Sequence, residues 1–110
     1  MPSIASVAAD IEREGEDVLL QRTMGDGQVL AVVVRAFVRG FTADELVGGI
    51  KQGDRAMHIA PSKLEAKGWA DAPRKPDQVV IAGSTATVQS CETRRLRGVP
   101  CLHIVQVRGL

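Results

Sequence analysis

The chain has 110 residues, 45% of them apolar, with a formal net charge of +1 and an aromatic content of only 3%. This length allows one domain with a modest core, since a chain of this size buries roughly 60–70% of its unfolded surface. The near-neutral balance, and a ring inventory limited to Phe37, Phe41 and Trp69, exclude a strongly basic nucleic-acid clamp and a base-stacking platform.

Pro2 to Glu14 is expected to form a short helix, with Ser3 as N-cap and Ile4, Val7, Ala8 and Ile11 at helical spacing. Gly15 stops it. So short a helix is marginal unless it packs on the rest of the domain or on a neighbour. From Asp17 the period changes to two. Val18 to Arg22 reads as a strand, and Met24 to Gln28 as a turn with two glycines. Val29 to Arg39 is the strongest strand signal. Val32, Val34, Ala36 and Val38 share one face; Ala31, Val33, Arg35, Phe37 and Arg39 share the other, which begins apolar and ends basic.

Gly40 to Gly53 interrupts the strands. Thr42 to Glu45 fits a capping box for one helical turn, and Gly48-Gly49 breaks it. A loop of this length on a small β scaffold is a common carrier of binding function. Asp54 to Ala60 returns to strand, and Pro61 to Lys67 reads as a short helix with Ser62 as cap and Gly68 as stop. Asp77 to Ala82 and Thr85 to Glu92 are strands about a Gly83-Ser84 turn, Thr93 to Pro100 is a basic loop, and Cys101 to Arg108 is the final strand. Six short strands without βαβ rhythm predict a mainly β fold: a small antiparallel barrel or sandwich, with a helical arm over residues 1–15 and the β domain over 17–109.

The residues offer little chemistry. Ser84 and Ser90 have no neighbouring histidine with an acidic orienter, so no nucleophile–base pair is expected. His58 and His103 read as strand histidines, and Cys91 and Cys101 as reduced thiols; together they make no metal pattern, and no cofactor motif is present. Glu12, Glu14, Glu16 and Asp17 read as a solvated acidic face. No apolar run reaches the roughly 20 residues of a membrane span. Met1 to Asp10 has no signal-peptide pattern, so synthesis in the cytoplasm is expected. Arg94, Arg95 and Arg97 in the basic loop are candidates for a partner interface, because Arg forks suit phosphate and carboxylate alike; a merely solvated loop is the other reading.

In order, the chain carries a short helix, a valine-rich strand ending VRAFVRGF, a long loop, then GDRAMHIAPSKLEAKGW and KPDQVVIAGSTATVQSCETRRLRGVPCLHIVQVRG. That succession resembles the head-tail joining, or stopper, proteins of siphophages, including the head-completion protein of lambda-like phages and its prophage and gene-transfer-agent relatives. Asp77, Val79, Ile81, Gly83 and Val88 match the family's hairpin pattern, and Arg108-Gly109 its end. The resemblance spans roughly residues 17–109 and implies a non-enzymatic virion protein, assembled in the bacterial cytoplasm and sited at the head-tail junction. Subunits would form a ring, commonly of six, between the portal and adaptor on one side and the tail terminator or tail tube on the other. The ring would retain the packaged double-stranded DNA and dock the tail. The loop holding Phe41, Asp44, Glu45, Val47, Gly48, Gly49, Ile50, Lys51 and Gln52 would face the channel or a neighbour, and Arg94, Arg95 and Arg97 an adjoining ring. The alternative is a small β-barrel module binding a peptide or nucleic acid.

Overall fold

The computed structural model describes residues 4–41, 50, 53–69 and 71–109. They form α1 (Ile4–Glu14), β1 (Glu16–Thr23), β2 (Val29–Gly40), β3 (Arg55–Ile59), α2 (Pro61–Ala66), β4 (Gln78–Ile81), β5 (Ser84–Leu96) and β6 (Val99–Arg108). The strands close into an antiparallel barrel in the order β1-β2-β3-β6-β5-β4. Closure removes most of the unpaired edge that an open six-stranded sheet would expose.

The period-two pattern sets the inside of the barrel. Val18 and Leu20 of β1 face in with Val32, Val34 and Ala36 of β2, and the register pairs Val18 with Val34 and Leu20 with both Val32 and Val79. Met57 and Ile59, Val79 and Ile81, Ala86 and Val88, and Val105 and Val107 complete the lining. These are small, mostly branched side chains, which suits an interior too narrow for several rings. The one large ring inside, Trp69, is 1% exposed and packs into the same cluster with Leu64 of α2.

Helix α2 begins at Pro61, not with a Ser62 cap. Its N-cap is Ala60, which is extended and makes no side-chain cap, because proline at the first helical position presets φ and has no N–H to satisfy. It ends as expected at Gly68, where the Gly68 and Trp69 amides donate back to the Glu65 and Leu64 carbonyls at 3.0 Å each. This cap is what turns Trp69 into the barrel. At the chain's first bend, a Cβ on Gly15 would lie 2.5 Å from the Ile11 carbonyl oxygen and 2.7 Å from that of Ala36. Only glycine lets α1 turn into β1 so close to β2, and α1 then packs on the outer wall with Ile11 buried. The predicted Ser3 cap lies outside the described residues.

Two turns differ from expectation. The β4–β5 hairpin turns at Ala82-Gly83, with φ of 50° and 84°, closed by the Ile81–Ser84 pair. The expected basic loop from Thr93 to Pro100 is mostly strand: β5 runs to Leu96, β6 starts at Val99, and only Arg97-Gly98 turns, with φ of 53° and 79°. In both hairpins the two positive φ values match the strand twist, whereas a loop of eight residues would leave the ribbon unpaired. Cys91 pairs with Val105 while Cys101 lies four residues earlier on β6, about 13 Å along the ribbon, and both thiols are free.

Candidate interaction surfaces

Two buried carboxylates organise the barrel's polar parts. Arg22 is in phase with Val18 and Leu20, so its side chain points inward and needs an anion. Asp77, just before β4, supplies it: Arg22 Nε donates to Oδ1 at 2.9 Å and Nη2 to Oδ2 at 2.7 Å. Nη1 donates to Asp71 at 2.7 Å, Nη2 also reaches the Ala72 carbonyl at 3.1 Å, and the guanidinium carbon stacks 4.6 Å from the Trp69 ring centre. Hydrogen bonding to Asp77, then to Asp71, raises the Arg22 pKa against the cost of burial, and the bond from Arg22 holds the Asp71 carboxyl below its usual range. Asp54, at the head of β3, accepts from Arg108 Nε at 2.8 Å, Arg108 Nη2 at 2.9 Å and Gln106 Nε2 at 2.8 Å. Ser90 donates on to Gln106 Oε1 at 2.8 Å, which commits that serine to a structural bond. Each network ties segments distant in sequence, and each is a fork-to-fork Arg–carboxylate pair.

The sequence-predicted partner residues separate into two groups. Asp44, Glu45, Val47, Gly48, Gly49, Lys51 and Gln52 lie outside the described residues. Phe41 and Ile50, which flank them, are half-buried and line a cleft of about 310 Å³ together with Arg94, Glu92 and Ile104. Arg39 stacks at 5.8 Å on the Phe41 ring and donates to His58 Nε2 at 3.2 Å, fixing the entry of that loop. The base of the loop and one predicted arginine therefore meet at a single place.

The three arginines do not form one patch. Strand alternation sends Arg94 to the outer face, where it pairs with Glu92 at 3.1 Å, and Arg95 to the other face. There Arg95 lines a cleft of about 350 Å³ with Trp69, Pro61, Val99, Thr93 and His103. Arg97 sits on the β5–β6 turn with Gly98. In that cleft Thr93 Oγ1 and His103 Nδ1 are 2.8 Å apart, and burial pushes the imidazole pKa down, favouring its neutral form. No carboxylate hydrogen-bonds the ring's other nitrogen among the described residues, so the orienting third member of a hydroxyl–imidazole nucleophile is not seen there.

A third surface lies on the outer wall of β4, β1 and β2. The register sets Val80 beside Leu19, Leu19 beside Val33, Gln21 beside Ala31 and Thr23 beside Val29. Val29 is 58% exposed, Val33 50% and nearby Met24 44%. Gln21, Thr23 and Gln78 interrupt this wall and the Asp17–Arg35 pair borders it, but Val80, Leu19, Val33, Ala31 and Val29 form one connected apolar strip, a pattern that marks contact surfaces more than scattered exposed residues do. The sequence shows its β2 half, in the apolar start of the second face of Val29 to Arg39; the Leu19 and Val80 half needs the pairing register.

Among the described residues there is no group of three or more His, Cys, Asp or Glu side chains placed to hold a metal ion, and no helix long and apolar enough to cross a membrane. No protein-family model matches the chain, and a comparison with curated proteins finds no match.

Proposed function

We propose that the chain is a structural, non-enzymatic protein of the neck of a tailed phage or phage-like particle. It would act as a stopper, ringing up between the portal–adaptor assembly and the tail, retaining the packaged DNA and docking the tail. The resemblance in element order supplies the neck; the observation that carries the assembly is the apolar outer wall built by Leu19, Val29, Ala31, Val33 and Val80. A small barrel gains stability by burying such a wall. A closed ring needs two unlike patches on each subunit, and the cleft at the base of the β2–β3 loop, with its arginine, is chemically unlike the wall. The net charge of +1 suits a channel that DNA passes through without being gripped, since strong phosphate neutralisation gives tight, salt-sensitive binding.

Val33→Asp places a carboxylate in the middle of the wall at a half-exposed site, so the subunit itself should stay folded. Burying that unpaired charge at an interface is costly enough that particles carrying the variant should show joined heads and tails reduced by about tenfold or more, counted by electron microscopy. Joined particles at the wild-type level would remove the wall from the assembly.

A further inference from the structure

Strand β5 outruns its neighbour. Strand β4 covers it only from Ser84 to Thr87, and the Val88 amide makes the last bond on that side, to the Asp77 carbonyl at 2.8 Å. From Ser90 to Leu96 the backbone pairs with β6 alone, and among the described residues its other edge is bare. Such an edge is a template for another strand unless something blunts it, and charged side chains are the usual device. Here the charges are self-complementary. Glu92 and Arg94 lie in one phase on the outer face, both 64% exposed. Set two copies of β5 antiparallel about Thr93, and each Glu92 falls opposite Arg94 of the second copy, giving two opposite-charge cross-strand pairs. A two-residue slip either way brings Glu92 against Glu92 or Arg94 against Arg94, so one register is selected.

We propose that the free chain dimerises edge to edge through Ser90–Leu96 of β5, in the antiparallel register centred on Thr93. The occupant of the edge is a second copy of this chain, because its outer-face charges, Glu92 and Arg94, are complementary to themselves, while Arg95 on the other face falls opposite Cys91 rather than a like charge. The pairing joins two barrels into one continuous sheet across a two-fold axis. It differs from the neck ring in symmetry, since a head-to-tail ring uses unlike patches and this contact uses the same patch twice, although Glu92 and Arg94 also line the cleft assigned to the ring.

The test is sedimentation equilibrium of the full chain over a concentration series, with circular dichroism to show that each variant is folded. Wild-type protein should reach twice the 11.7 kDa chain mass. Glu92→Arg and Arg94→Glu each replace attraction by like-charge contact in both pairs, and each should weaken dimerisation by about tenfold or more. The double variant E92R/R94E restores both pairs with the net charge unchanged, and should recover the wild-type dissociation constant. A monomer at every concentration, single variants that dimerise as well as wild type, or a double variant that fails to recover would each overturn the proposal. So would a larger closed ring with no dimer, an outcome that would leave the neck reading standing.

Discussion

Asp77→Ala should destabilise the barrel by about 3–5 kcal/mol, because it strands a buried guanidinium. Asp77 accepts both forks of Arg22 and also the Arg74 amide at 2.9 Å, so the substitution orphans three donors. The Arg22 side chain is 9% exposed and keeps only Asp71, itself 55% exposed, and the Ala72 carbonyl. That remnant is a half-solvated pair of modest value. Urea unfolding followed by circular dichroism checks the magnitude. Adding Arg22→Met to Asp77→Ala removes the stranded charge, so the double variant should be more stable than Asp77→Ala alone. A loss under about 1 kcal/mol for the single variant would show that Arg22 finds water or another anion when Asp77 is gone.

Trp69→Ala should cost about 3–5 kcal/mol, the usual range for emptying a buried aromatic site. Trp69 is held by the Gly68 cap of α2, so the surrounding chain has little freedom to collapse into the space. It also carries the stacked face of Arg22 at 4.6 Å, so this loss and that of Asp77→Ala should not add. Among the described residues the buried indole Nε1 has no hydrogen-bond partner. Removing that N–H therefore costs nothing in bonding, and Trp69→Phe should lose only packing, about 1–2 kcal/mol. Equal losses for Phe and Ala would show that the N–H has a partner after all, such as an internal water.

The barrel was legible in the sequence where side chains alternate cleanly. Val32, Val34 and Ala36 share one face of β2 by alternation alone, whereas Val79-Val80-Ile81 of β4 is apolar throughout and only the pairing register shows that Val79 and Ile81 face in. Past Thr93 the β5–β6 ribbon reads as a loop in sequence, because its polar, arginine-rich composition imitates one, and only the positive φ of Arg97 and Gly98 locates the turn. Ser62 looked like a cap, but Pro61 already satisfies the helix start. Arg22 could have been flagged from sequence as a charge in an inward phase. Its partner Asp77 could not, because 55 residues separate them and only barrel closure brings them together. The apolar outer wall likewise depends on which strand lies beside which.

The neck assignment is tested most directly by electron microscopy of particles made with this gene deleted. Separate tails beside heads that have lost their DNA are the expected result for a stopper. Fully joined, infectious particles would contradict it, and separate tails beside full heads would keep the protein at the junction while removing its genome-retaining role.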